Sequence, residues 1–211
     1  MKNFKTSLLI MLFLSAFINP IKAQEEEAGT DLSFLMGQKN IKLEFSYEGL
    51  TIDDQPEAAF LNEAVAKMNE KNPGSGDELS AYWKTQKKTE MPRMFTAGLN
   101  NNLSSYHFRA DTLEAKPKQK YVCVIRLISI NPGRKMLTSP TLWVSCTFYE
   151  EGNRNKPLAS FKYHLDYAKG GNEKTGHGRS TYMGTGSWDE CAMPYFTAGK
   201  RLAGKVKKMV N

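Results

Sequence analysis

The amino-acid sequence predicts an α+β fold, a two-layer sandwich in which helices pack on one face of a mostly antiparallel or mixed sheet. Three observations predict this class. One alternating, strand-like segment is followed by three segments with helical spacing of apolar residues. Three further strand-like segments are joined by short turns, which favours antiparallel neighbours because a parallel pair needs a long crossover. A last segment with helical spacing closes the chain.

The first half of the chain is predicted to supply one strand and most of the helices. IKLEFSY, residues 41–47, alternates apolar and polar residues as a strand with one solvated side does. A helix with an acidic start is expected from about Asp54 to the NPGSG turn at 72–76. A second helical segment capped by Asp77, and a third from about Pro92, each carry an apolar stripe.

The second half is predicted to supply the rest of the sheet. KYVCVIRLISI, residues 120–130, is apolar on both sides and rich in β-branched residues, which is typical of a central strand. An NPGRK turn leads to TLWVSCTFY at 141–149, and a polar turn leads to SFKYHLDYA at 160–168, which alternates cleanly. The closing helix is expected at about 194–210.

Two nearly identical phrases stand about a hundred residues apart, MPRMFTAG at 91–98 and MPYFTAG at 193–199. In both, Met-Pro stands where a helix begins, since proline is tolerated in a first turn. The alanine-glycine pair that ends each phrase leaves the backbone uncovered, so we expect another element to approach each helix closely. Duplication is the alternative, but the flanking residues do not repeat.

Residues 1–23 have the features of a signal peptide. Lys2 and Lys5 precede an apolar run at 8–18, and the small residue Ala23 fits a cleavage site. The run is too short to span a bilayer, which takes about twenty residues. We therefore expect a periplasmic or secreted protein with no transmembrane segment after cleavage, a polar tail at 24–30 and a single α+β domain at 31–211.

The charge of the chain gives little support to a nucleic-acid partner. The net charge of +7 falls to +4 without the leader, which holds three lysines and no acidic residue. Basic residues at the carboxyl end complement the dipole of a closing helix. No nucleic-acid-binding motif accompanies them, so we expect no such partner.

The glycine-rich stretch at 170–188 is predicted to be a surface loop. It is not a phosphate-binding loop, because His177 stands where that motif has its lysine. Tyr182 and Trp188 are candidates for binding a glycan or a peptide. A connection without a ligand is the alternative.

Three cysteines in an exported chain leave an odd one over. The strands that hold Cys123 and Cys146 are expected to form a hairpin with the two thiols nearly opposite. They are candidates for a disulfide or for two reduced core residues. Cys191 with His177 is a candidate nucleophile and base of a small cysteine hydrolase, although no third orienting residue accompanies them.

The side of the predicted sheet away from the helices is unusually apolar. It carries Trp143, Tyr149, Val122, Val124 and Ile128 beside polar residues. Either the late loops or a partner must cover such a surface. Trp143 and Tyr149 are therefore candidate binding residues.

No cofactor and no metal site are predicted. His164 and Asp166 share a strand face, as two metal ligands must, but polar residues occupy such a face in any case. Thr112 lies in the triplet DTL, which resembles the short acceptor sequence for O-glycosylation in some Gram-negative envelopes. Thr112 is therefore a candidate modification site.

The order of elements, the NPG turn before a hairpin and the helix phrase YFTAGKRLAGKV at 195–206 resemble small exported bacterial envelope proteins of unknown function. These are similar in layout to the accessory lipoproteins of transport systems and to the amino-terminal domain of the Tol-pathway propeller protein. The resemblance covers about residues 41–210 and implies a periplasmic binding or assembly module. This chain lacks the lipid-bearing cysteine of the lipoprotein members.

Together these observations predict a noncatalytic exported envelope protein that binds another envelope protein or itself. A glycan-binding module that uses exposed aromatic residues is the alternative. A small cysteine hydrolase is the third hypothesis.

Overall fold

A computed structural model of the chain describes residues 29–112, 118–131, 141–166 and 192–210. Its helices and mixed seven-stranded sheet confirm the predicted α+β class. None of the helices within these ranges has the length and apolarity needed to cross a membrane. The helices are α1 (Glu57–Lys71), α2 (Ser75–Thr85), a π-helical turn (Gln86–Glu90), α3 (Met91–Asn100) and α4 (Ala192–Val206). The strands are β1 (Asn40–Ser46), β2 (Thr51–Ile52), β3 (Gln55–Pro56), β4 (Arg109–Asp111), β5 (Tyr121–Asn131), β6 (Thr141–Glu150) and β7 (Ala159–Asp166).

β5 lies at the centre of the sheet, as predicted for the KYVCVIRLISI segment. β1 and β2 pair with it in parallel on one side, and β6 pairs antiparallel on the other. β7 then adds antiparallel to β6, β4 adds parallel to β1, and β3 adds antiparallel to β2. The sheet is mixed because the helices between β1 and β5 form a long crossover, which a parallel pair requires.

The two faces of the sheet differ in chemistry. Apolar side chains such as Leu43, Ile125 and Val144 are buried on what we call the helix face, where they share one core with Phe95 of α3 and Tyr195 of α4. The intervening residues form the outer face: Lys42, Glu44, Ser46, Val122, Val124, Arg126, Trp143, Ser145, Thr147, Tyr149, Ser160, Lys162 and His164.

A β-bulge between Leu127 and Ser129 shifts the pairing of β5 with β6. Before the bulge, odd-numbered residues up to Leu127 are buried on the helix face, and after it Ile130 is buried there opposite Leu142. One extra residue thus changes which side chains point inward. The bulge thus accounts for the inward Ile130, whereas Val122 and Val124, before the bulge, are apolar residues of the outer face.

α3 and α4 cross at the repeated phrase. Their backbones touch at Gly98 and Gly199, which confirms the predicted close approach. The buried aromatic side chain of each helix stands at a different place in the phrase. In α3 it is Phe95, but in α4 it is Tyr195, whereas Phe196 is only half-buried.

Two helix starts differ from the sequence prediction. Asp53 and Asp54 have left-handed backbone conformations in the tight turn between β2 and β3, and α1 begins after Pro56. Short polar side chains tolerate this conformation better than most, so Asp54 belongs to the turn. Asp77, predicted as a cap, lies inside the first turn of α2, which follows the left-handed Gly74.

Candidate functional site on the outer face

Trp143 projects from β6 on the outer face and keeps 42% of its surface exposed. His164 is its direct partner on β7. The imidazole stacks on the indole, with ring centroids 4.6 Å apart and planes within 20°. The stack fixes the orientation of the exposed indole on a strand, and a binding site needs such a rigid support.

Cationic side chains flank this stack. Arg126, Ser145 and Lys162 form the next row across β5, β6 and β7. The Arg126 Nε donates to the backbone oxygen of Glu48 at 3.0 Å, which orients the guanidinium. Neither Arg126 nor Lys162 forms an ion pair with a carboxylate in the described part of the chain. An exposed indole therefore lies beside a positively charged strip.

The opposite end of the outer face is a network of ion pairs. Arg154, after β6, bonds to Glu44 Oε1 at 3.0 Å and to Glu151 Oε2 at 3.2 Å. Lys42 Nζ lies 3.2 Å from Glu44 and 3.5 Å from Glu151. The hydrogen bond with Glu44 is the main reason why the pKa of Lys42 is raised. Because these charges already have partners, we place the candidate site at the Trp143 end.

Tyr149 and Val122 lie at the end that holds this network. Tyr149 is half-buried, with the Arg154 guanidinium 5.9 Å from its ring centroid. Val122 is fully buried although it belongs to the outer face. Among the described residues, Arg154 covers part of Tyr149, so the surface at this end is less apolar than the sequence alone indicates. Of the two predicted outer-face aromatics, Trp143 is the exposed one.

A second polar cluster lies where α1, α2 and the π-helical turn meet. The Glu57 carboxylate accepts a hydrogen bond from Trp83 Nε1 at 2.5 Å and pairs with the Lys87 ammonium. That ammonium lies 5.4 Å from the ring centroid of Tyr47 and 5.7 Å from that of Trp83. Tyr47 Oη donates to the backbone oxygen of Lys87 at 2.6 Å. Since these groups satisfy one another, the cluster joins elements and offers no site to a ligand.

The candidate bridge between Cys123 and Cys146 is absent from the structure, where both thiols are free and buried. The register explains this, because Cys123 pairs with Phe148 and Cys146 pairs with Ile125. The cysteines are diagonal neighbours, and a bridge demands stricter geometry. Burial raises the pKa of the Cys123 thiol, and its interaction with Cys146 adds to the rise.

Several predicted site residues lie outside the described residues, namely His177, Tyr182, Trp188 and Cys191. Thr112 is described and is exposed just after β4. Within the described ranges, no three His, Cys, Asp or Glu side chains are placed to hold a metal ion.

Sequence reasoning missed two of these arrangements. It placed His164 on the solvated side of its strand but did not identify its partner. Trp143 lies opposite His164 because of the register between β6 and β7, which the sequence pattern does not reveal. The pairing of Glu57 with Lys87 joins residues thirty positions apart. The acidic start of α1 is a local signal for Glu57, but no local pattern indicates its partner.

These observations define an α+β chain built on a mixed seven-stranded sheet. No family model matches the chain, and no curated protein matches it. Among solved structures, the crystal structure of a Xanthomonas campestris protein, described with the family model DUF330, matches at a TM-score of 0.28 and 8% identity, over 86% of this chain and 88% of that one. Similarity of this size carries no inference about ligand or activity. The function is therefore inferred from the residues of this chain alone.

Proposed function

We propose that the protein is an exported, noncatalytic binding module that recognises another protein through the Trp143 end of the outer face. The observation that supports this function is the exposed indole of Trp143, which His164 orients beside Arg126 and Lys162. Tryptophan is a frequent anchor of protein interfaces, because its large ring contributes contact area at a low cost in conformational entropy. The two cations favour a partner with an acidic surface.

Site-specific photocrosslinking in the native envelope tests the proposal. A crosslinking residue at Lys162 lies on the outer face, and one at Lys84 on exposed α2 provides the matched control. We expect one polypeptide to crosslink from position 162 and none from position 84. The Trp143→Ala variant should abolish that product. It should change the free energy of unfolding by less than about 1 kcal/mol, because the side chain is at the surface.

Equal crosslinking from positions 162 and 84 would contradict the proposed surface. A product that persists unchanged in the Trp143→Ala variant would contradict the role of the indole. The amino-terminal sequence of the mature protein tests export separately, and we expect it to begin near Gln24.

A glycan-binding module is the second candidate, since a flat exposed indole such as Trp143 also suits a sugar ring. A glycan array with wild-type protein and the Trp143→Ala variant decides between the two. Glycan binding that depends on Trp143, without a crosslinked polypeptide, would favour this candidate. The cysteine hydrolase remains a prediction that Cys191→Ser tests.

A further inference from the structure

β7 is at the edge of the described sheet, where β6 is its paired strand. Two hydrogen bonds identify the backbone groups that face outward. The Ser160 N–H donates to the Gly29 oxygen at 3.0 Å, and the His164 oxygen accepts from Arg201 Nη1 at 3.2 Å. Alternate residues of an antiparallel strand direct both backbone groups to the same side. Lys162, between these two residues, therefore directs its N–H and C=O outward as well.

Within the described ranges, part of this edge has no strand paired with it. The bond from Ser160 to Gly29 shows that the edge pairs with backbone at one end. Beyond it, the N–H groups of Lys162 and His164 and the carbonyl of Lys162 have no backbone partner in the described ranges. An unpaired strand edge is a template for strand addition, in which backbone hydrogen bonds supply the affinity.

The same edge is positively charged on both faces of the sheet. Lys162 is exposed on the outer face. On the helix face, Arg201 bonds to the edge itself and Lys205 Nζ lies 6.0 Å from the ring centroid of Phe161. None of the three cations forms an ion pair with a described carboxylate. A strand with acidic side chains would meet a cation on either side.

We propose that an extended acidic segment of the partner protein adds to β7 as a further strand, pairing with the backbone of Lys162 and His164. This inference rests on the proposed function and specifies the partner's chemistry. The added strand would lie next to His164, the residue that stacks on Trp143. Partner recognition then combines edge pairing with contact to the indole.

Amide hydrogen exchange with defined peptides tests this inference. The probes are a blocked hexapeptide alternating Glu and Thr, the counterpart alternating Lys and Thr, and an N-methylated Glu-Thr version. The chain used begins at residue 24. We expect the amides of Lys162 and His164 to exchange rapidly in the free protein and at least about tenfold more slowly with the Glu-Thr peptide. Neither control peptide should slow them.

Matched variants separate backbone pairing from charge. Lys162→Pro removes the outward N–H, which an edge strand tolerates, whereas Lys162→Thr keeps it. We expect Lys162→Pro to weaken Glu-Thr binding by about tenfold relative to Lys162→Thr, as the loss of one or two backbone hydrogen bonds implies. Arg201→Gln provides a second test that leaves the strand backbone intact, and we expect several-fold weaker binding.

Four results would overturn the inference. The first is slow exchange of both amides in the free protein, because the edge would then be covered by the chain itself. The second is equal binding of the Lys-Thr peptide. The third is peptide binding that begins only after residues 24–28 are removed, which would assign the edge to the chain's own acidic segment. The fourth is Trp143-dependent crosslinking without peptide binding. This result would support the proposed function but would rule out the addition of a partner strand to β7.

Discussion

Gly98 of α3 and Gly199 of α4 each lie against the backbone of the opposite helix. A Cβ atom on Gly98 would come within 2.1 Å of the Phe196 oxygen, and one on Gly199 within 2.2 Å of the Phe95 oxygen. The glycine of each repeated phrase thus meets the phenylalanine of the other. The repetition in the sequence corresponds to one helix crossing with two equivalent halves.

Alanine at either glycine should therefore destabilise the fold. We expect Gly98→Ala and Gly199→Ala each to lower the free energy of unfolding by about 1–3 kcal/mol or more, since backbone must move to admit the methyl group. Gly204, also in α4, is the control, because no atom lies within 4 Å of its added Cβ. Gly204→Ala should raise the free energy by up to about 1 kcal/mol. Similar losses at all three positions in urea unfolding would disprove the tight crossing.

The ion pair between Lys87 and Glu57 should contribute measurably to the free energy of unfolding. Lys87 and Glu57 side chains are 23% and 19% exposed, and Lys87→Met leaves the Glu57 carboxylate half-buried without its cation. We expect a loss of about 1–3 kcal/mol in the free energy of unfolding, measured by urea denaturation. The exposed pair of Lys67 with Glu63 is the control, and Lys67→Met should have no measurable effect. An equal effect of the two variants would show that burial of the pair is unimportant.

Two tyrosines should make the fold sensitive to alkaline pH. Burial raises the pKa of Tyr47 and of Tyr163 above the usual value for a phenol. A phenol whose pKa is higher in the folded state contributes stability below about pH 10, and this contribution is lost as pH rises further. We expect the free energy of unfolding to fall by about 1.4 kcal/mol per pH unit for each tyrosine above that pH. Urea unfolding at several pH values checks this. Tyr47→Phe and Tyr163→Phe should each reduce the fall in the free energy of unfolding above pH 10 by the contribution of one tyrosine.

At neutral pH the same two variants should differ. Tyr47→Phe removes the hydrogen bond to the Lys87 oxygen and should cost about 1 kcal/mol. The Tyr163 hydroxyl is buried without a hydrogen-bond partner among the described residues, so Tyr163→Phe should be neutral or stabilising. A larger loss for Tyr163→Phe at pH 7 would indicate a partner for that hydroxyl.

Asn100 should be essential for joining α3 to β4. Its amide nitrogen donates to the Ala110 oxygen at 2.8 Å, and its amide oxygen accepts from the Ala110 N–H at 2.8 Å. Asn100→Asp removes the donor, and we expect a loss of about 1–3 kcal/mol in the free energy of unfolding. Asn101→Ala, at the exposed neighbouring position, should have little effect. Comparable melting temperatures for the two variants would contradict this role.

The sequence was sufficient for elements whose pattern is long and local. The antiparallel order of β5, β6 and β7, and the closing helix, follow from period and from short turns. β2, β3 and β4 have two or three residues each, too few to show a period. The bulge after Leu127 was also hidden, because an inserted residue in an apolar strand leaves the composition unchanged.

The candidate site was predicted only in part, for a similar reason. Alternation along β6 placed Trp143 on the outer face, and its exposure agrees with that interpretation. Its stack with His164 and the covering of Tyr149 by Arg154 depend on pairings between distant residues. Such pairings are set by tertiary packing, which single-sequence patterns do not contain.

The parallel pairing of Leu43 with Cys123 has a consequence for the order in which the chain assembles. During synthesis from the amino end, β1 cannot pair until β5 has been made. Likewise, the surface of α3 around Gly98 cannot pack until α4 has been made. The core can therefore close only after the last of these elements, the α4 helix, has been synthesised. A topology that closes late leaves a newly made chain unfolded for longer than one built from local contacts would.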